Sequence, residues 1–138
     1  MAPLIVASKL ESLRANLVRI AARTPGTAME LAEREDLQES LVLNLARAIQ
    51  NATDVGSHLI SRSERRVPTS AREIFEALTD MGAIDRPLAA KLADATAFRN
   101  LAIHRYDTID WNIVYRICHE SLVDLRTFAD RVERWMAD

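Results

Sequence analysis

The sequence predicts an all-α protein, an up-and-down bundle of five or six helices. Three observations favour this class. The residues that dominate the chain of 138, Ala, Leu, Arg and Glu, are good helix formers. The chain holds only 3 Gly and 4 Pro, whereas β sandwiches and barrels need many turns. Apolar residues recur at steps of three and four, as they do on the buried face of a helix.

Four capping boxes predict where helices begin, because each places a Glu three residues after a capping side chain. They are Ser8–Glu11, Thr27–Glu30, Asp36–Glu39 and Ser70–Glu73. The apolar spacing then predicts long helices over about 9–23, 37–59, 71–81, 85–104 and 109–136. The short segment 28–35 is either a separate helical turn or the start of the next helix. The predicted loops between these helices are short, and short loops make successive helices antiparallel neighbours in a bundle.

The composition is that of one globular domain spanning residues 1–138, with 49% hydrophobic and 28% charged residues. A chain of this length buries about two-thirds of its unfolded surface, so it needs no metal or disulfide for stability. The formal net charge of −2 gives no overall attraction to nucleic acid. Nearly all of the basic residues are arginine, which grips phosphate bidentately, although a GC-rich genome would produce the same bias.

The sequence also predicts where the protein is found. No run approaches the ~18 apolar residues of a membrane span, and the first residues lack the basic region of a secretory signal. Cys118 is the only cysteine, which excludes an internal disulfide and a cysteine-based metal cage. It falls on the apolar stripe of the last helix and is predicted to lie in the core. We therefore expect a protein of the cytoplasm.

The stretch over 98–107 concentrates side chains that can bind ligands or transfer protons. Its sequence is Phe-Arg-Asn-Leu-Ala-Ile-His-Arg-Tyr-Asp. One interpretation is structural, because cations at the last turn of a helix complement its dipole. The other is functional. Arginine is a permanent phosphate ligand, and histidine transfers protons near neutral pH, so Arg99 and His104 together suit phosphodiester chemistry. Asn100 lies one turn before His104 and could orient the imidazole or a substrate.

Arg99, Asn100, His104 and Tyr106 form the pattern R-x4-H-x-Y, with Asn after the Arg. This pattern, late in the fourth long helix of a bundle of this length, resembles the signature of the HepT toxins, a branch of the HEPN superfamily of helical ribonucleases. The resemblance covers nearly the whole chain. The long second helix ending Ala-Thr-Asp-Val-Gly-Ser-His-Leu-Ile is also similar to the family.

The resemblance implies a metal-independent endoribonuclease toxin of a toxin–antitoxin pair, with no cofactor, acting on mRNA or tRNA through Arg99 and His104. It also implies a homodimer whose motifs meet at the two-fold axis. A nucleotidyltransferase antitoxin of the MntA type would silence it by attaching AMP to Tyr106, although an aromatic here could simply pack against the helix end. The alternative function is a catalytically silent HEPN-like module for docking or nucleotide sensing.

Two geometric questions follow from the spacing. Arg99 and His104 are about 140° apart around an ideal helix. They converge only if the helix loosens near its end, if Arg99 reaches around, or if two chains share one cleft.

A second polar stripe contains Asn44, Asn51, Asp54 and His58. Such a stripe is usually a solvated face, but it could line the cleft, with Asp54 orienting His104 or Arg99.

Overall fold

A computed structural model describes residues 3–138, apart from the side chains of Ile103 and Tyr106. The described residues form six α-helices, and a 3₁₀ turn at Tyr106–Thr108 lies between the last two. The helices are α1 (Leu4–Arg23), α2 (Ala28–Glu33), α3 (Glu35–Ser61), α4 (Ala71–Asp80), α5 (Arg86–His104) and α6 (Trp111–Ala137). The predicted helical bundle is confirmed. No helix in the described part of the chain is both long and apolar enough to cross a membrane.

The capping side chain is confirmed in two of the four boxes. The Thr27 hydroxyl accepts a hydrogen bond from the backbone N–H of Glu30 at 3.1 Å, and the Ser70 hydroxyl accepts one from that of Glu73 at 3.2 Å. Asp85, which the sequence places at the start of the fourth long helix, accepts from the backbone N–H of Leu88 at 3.0 Å. These side chains satisfy amides that the first turn of a helix leaves without a partner.

The other two boxes are wrong, for two different reasons. Helix α1 begins at Leu4, four residues before Ser8, because Val6 belongs to the buried face and extends the helix towards the N-terminus. Asp36 lies inside the first turn of α3, where it accepts from the Arg34 guanidinium at 2.8 Å. That hydrogen bond from Arg34 lowers the pKa of Asp36 below its ordinary value.

One hydrophobic core joins all six helices, and the most extensive packing in it is between α1 and α3. The buried face of α1 is apolar apart from one amide and consists of Val6, Leu10, Leu13, Asn16, Leu17 and Ile20. Helices α3 and α4 approach each other closely at Gly56, where an added Cβ would lie 2.5 Å from Cγ2 of Ile74. The absence of a side chain at Gly56 therefore permits this contact.

Cys118 is fully buried among the core residues of α6, as the sequence predicts. Burial raises the pKa of its thiol to about 12, because the thiolate would lose its hydration. Reactive cysteines sit in exposed surroundings that favour the thiolate. Cys118 is therefore a packing residue of the core.

Candidate active site

Helix α5 is regular through His104 and ends at Arg105, whose backbone leaves the helical region while its N–H still donates to the carbonyl of Leu101 at 2.8 Å. Arg99 and His104 therefore stay about 140° apart and about 7.5 Å apart along the helix axis. Of the three ways in which the two groups could converge, a loosening of the helix near its end is therefore not the one that the structure shows. His104 is exposed and makes no side-chain hydrogen bond with any described residue.

Arg99 turns sideways from α5 towards α3. Its Nη1 donates to Oε1 of Gln50 at 2.7 Å. Its Nε and Nη2 both donate to Oδ1 of Asn100, at 3.3 Å and 2.9 Å. Described residues thus use three of the five N–H groups of the guanidinium, so two N–H groups on the terminal nitrogens remain for a ligand.

The side-chain amide of Gln50 is hydrogen-bonded through both its nitrogen and its oxygen. Its Nε2 donates to Oδ1 of Asp54 at 2.9 Å, while its Oε1 accepts from Arg99. An arginine can only donate and a carboxylate can only accept, so both partners require the same orientation of the amide. The other oxygen of Asp54 accepts from Nζ of Lys9 at 3.1 Å, and both side chains of this ion pair are about one-third exposed.

We call these five residues, Lys9, Asp54, Gln50, Arg99 and Asn100, the polar chain. It crosses from α1 through α3 to α5. Each link joins a donor to an acceptor, so the guanidinium of Arg99 has a fixed direction without packing in the core. The polar chain therefore positions the cation that the sequence predicts to be a phosphate ligand.

The two supporting residues of the polar stripe and the motif, Asp54 and Asn100, are both connected to Arg99. Asp54 reaches Arg99 through Gln50 and does not contact it directly. Asn100 pairs with Arg99, its neighbour in sequence, and not with His104. Gln50 was missed by the sequence analysis. The available signal was its position four residues before Asp54, on the same face of α3, where Gln and Asp side chains meet.

The second polar stripe is largely an interface between helices. Asn44 is buried, and its Oδ1 accepts from Nδ2 of Asn16 on α1 at 3.5 Å. Nδ2 of Asn51 donates to Oδ1 of Asn16 at 2.9 Å. The interpretation of this stripe as a solvated face is therefore wrong for Asn44. His58, further along α3, is half-buried and makes no side-chain hydrogen bond with a described residue.

Two further expectations concern Tyr106 and metals. The backbone of Tyr106 begins the 3₁₀ turn after α5, and its side chain lies outside the described residues. Within the described part of the chain, no group of three or more His, Cys, Asp and Glu side chains is arranged to hold a metal ion.

Comparisons with known proteins agree on the family. The sequence profile described as "Ribonuclease HepT-like" matches residues 13–132. The chain is 26% identical over 129 residues to the mRNA nuclease HepT of Shewanella oneidensis, a match that covers 94% of this chain and 96% of that protein.

Two solved structures are similar over almost their full length. The tri-AMPylated HEPN toxin of Shewanella oneidensis in complex with the MNT antitoxin matches with a TM-score of 0.88 at 26% identity, covering 96% of this chain and 99% of that one. A toxin–antitoxin structure with AMP-PNP matches with a TM-score of 0.87 at 25% identity, covering 95% and 99%. The profile matches most of the chain, and the solved HEPN toxin has the same helical bundle. The protein therefore belongs to the ribonuclease HepT-like family of the HEPN superfamily.

Proposed function

We propose that this ribonuclease is a metal-independent endoribonuclease toxin that cleaves mRNA or tRNA in the cytoplasm and is silenced by a nucleotidyltransferase antitoxin. The observation that carries the proposal is the geometry of Arg99. The polar chain fixes its guanidinium and leaves two N–H groups for a phosphate, and an exposed histidine follows five residues later, about 1.4 turns, on the same helix. A fixed cation and an accessible proton acceptor are the minimum that RNA cleavage requires.

The proposed reaction is internal transesterification. His104 takes the proton from the ribose 2′-OH, the 2′ oxygen attacks phosphorus, and the bond from phosphorus to the 5′ oxygen breaks. The products are a 2′,3′-cyclic phosphate and a 5′-OH, whose oxygen takes its proton from solvent. Arg99 stabilises the negative charge that develops on the phosphoryl oxygens.

We infer that two chains share this chemistry. Helix α5 stays regular through His104, and Arg99 is directed to Gln50 on α3, so one chain alone does not bring the two groups together. A homodimer with its two motifs facing each other would allow Arg99 of one protomer to serve His104 of its partner. This arrangement would also deepen a site that is shallow in a single chain.

We propose that Tyr106 is the residue at which the antitoxin acts. It lies two residues beyond His104, after the end of α5, where its backbone has left the helix. An AMP group on its phenol would place a phosphodiester close to the site, where it would compete with RNA for Arg99. The similar toxin from Shewanella oneidensis is tri-AMPylated and bound to its MNT antitoxin. That similarity supports both the modification and the partner.

Arg99→Ala and His104→Ala test the activity itself. We expect His104→Ala to lower the cleavage rate about 10²–10⁴-fold, because the base is lost. Arg99→Ala should cost about 3 kcal/mol of transition-state stabilisation, and Arg99→Lys should restore only part of it, because lysine lacks the bidentate fork. Incubation with total RNA in EDTA, followed by mapping of the ends, measures both effects. Exposed residues on α6, Arg126→Ala and His119→Ala, are matched controls.

Wild-type rates in both the Arg99 and His104 variants would remove this site from the reaction. Loss of wild-type cleavage on adding EDTA would contradict a metal-independent mechanism. A chain that folds normally and cuts no RNA under any condition would instead favour the silent docking module.

Gln50→Ala tests the polar chain. We expect kcat to fall about 5–30-fold, corresponding to the loss of about 1–2 kcal/mol from a hydrogen bond to a charged group, with little change in KM or in thermal stability, because Gln50 is exposed. The decisive readout is a double-mutant cycle. If Gln50 acts through Arg99, Gln50→Ala has no further effect on the Arg99→Ala variant. Additive losses would mean that Gln50 contributes independently of Arg99.

Mixing inactive chains tests the shared site. An Arg99→Ala chain and a His104→Ala chain are each expected to be inactive alone. In their heterodimer, a site shared between protomers has one position with both groups intact, so activity should recover at one of the two sites. Cleavage by purified heterodimers, separated by two different affinity tags, measures the recovery. Verified heterodimers without activity would confine each site to one chain.

Tyr106→Phe tests the silencing step. This variant keeps the ring and removes the acceptor oxygen, so it should fold normally and escape inactivation by the antitoxin with ATP. Intact mass spectrometry should find AMP adducts on the wild-type chain and none on the variant, while Tyr115→Phe on α6 should be modified like the wild type. Adducts that persist on Tyr106→Phe would place the modification at another residue.

A further inference from the structure

A groove between α1 and α3 is lined in part by the polar chain, and its other residues have no role in the reaction described above. Its volume is about 430 Å³. Charged and amide side chains make up most of its lining, namely Lys9, Arg19, Arg47, Gln50, Asn51 and Asp54. Among the residues that line it, only Ala15 is apolar. Protein–protein interfaces have apolar and aromatic centres, so a polar ligand suits this groove better than a protein surface.

The groove is electropositive in a chain whose net charge is −2. Lys9, Arg19 and Arg47 line it together with one carboxylate, Asp54, and that carboxylate is already paired with Lys9. Arg19 and Arg47 are exposed and form no ion pair with any described residue. Two arginines on facing helices are therefore available to an anion, and their planar forks suit phosphate.

The groove leads directly to the catalytic cation. Gln50 lines it and also accepts the hydrogen bond from Arg99 at 2.7 Å. Arg47 lies three residues from Gln50 on α3, about 4.5 Å along the helix axis. A strand whose scissile phosphate is bound by Arg99 would meet Arg47 next. Two further groups in the groove are available for ribose or base groups: the hydroxyl of Ser12 and the side-chain oxygen Oδ1 of Asn51. The Nδ2 of Asn51 donates to Asn16.

We propose that the α1–α3 groove binds the single-stranded RNA that flanks the scissile phosphate, with Arg47 and Arg19 contacting its phosphates. The inference rests on the proposed ribonuclease function and extends it to substrate binding. It predicts that these two arginines contribute to affinity for RNA beyond the cleaved linkage and have no part in the chemical step. Contacts to phosphates carry no base preference, so the groove should act on all sequences alike.

The test measures binding and cleavage separately. In the His104→Ala protein, which should bind RNA without cutting it, Arg47→Ala and Arg19→Ala are each expected to weaken binding of a fluorescein-labelled uridine homopolymer of about ten nucleotides roughly three- to tenfold. The slope of log affinity against log salt should become shallower by about 0.7 for each lost phosphate contact. Arg126→Ala, an exposed arginine on α6, is the matched control and should change neither quantity.

In the active protein, the same two substitutions should raise KM for a long RNA by a similar factor and leave kcat unchanged. Cleavage of a dinucleoside monophosphate should not change at all, because this substrate has no phosphate beyond the scissile one. Thermal melts should match the wild type, since both side chains are exposed.

Unchanged binding and unchanged KM in both arginine variants would overturn the proposal. A loss of antitoxin binding with RNA affinity intact would also overturn it, because the groove would then be a protein interface. A change of oligomeric state in light scattering would assign the groove to a second copy of the chain. Failure of the ribonuclease function gives a different result, in which no wild-type cleavage is seen although RNA binding still depends on Arg47 and Arg19.

Discussion

The packing of α1 against α3 is the contact on which the rest of the structure depends. It is the most extensive helix pair of the bundle, and it combines an apolar face with a line of amides formed by Asn16, Asn44 and Asn51. Apolar side chains can slide past one another at small cost, whereas a buried amide loses its partner when the register changes. The amides therefore fix the register of the two helices, and that register determines where Lys9 meets Asp54.

The position of the Arg99 guanidinium follows from this register. Lys9 holds Asp54, Asp54 orients the amide of Gln50, and Gln50 receives the guanidinium of Arg99 from α5. The site thus derives its rigidity from three helices, although it lies at the surface. A side chain as long as arginine has many rotamers, and fixing it before substrate arrives reduces the entropy lost in binding.

His104 has the opposite character. It is exposed at the last turn of α5, and no described side chain holds it. The two groups of the R-x4-H motif therefore differ in physical state, one anchored by the bundle and one accessible from solvent. The shared fold at 26% identity to a solved HEPN toxin indicates that the bundle itself tolerates wide changes of sequence.

The sequence by itself determined the helical class, the approximate extent of each long helix, the caps at Thr27 and Ser70, the start of the fourth long helix at Asp85, and the core position of Cys118. These features depend on residues a few positions apart, so periodicity and capping chemistry suffice to predict them. The R-x4-H-x-Y pattern is equally local, which is why the family could be identified from it. Where local signals competed, as at Ser8 and Asp36, burial of Val6 and the bond to Arg34 decided the outcome.

The tertiary structure alone decided how the site is assembled. Gln50 and Arg99 are separated by 49 positions and Lys9 and Asp54 by 45, and no local pattern pairs such distant residues. The same applies to Asn44, whose polar side chain suggests a solvated face until Asn16 is brought against it. Hydrogen bonds between helices depend on packing angle and register, which the whole core sets together. The residues of the motif were therefore visible in the sequence, and the direction of Arg99 was not.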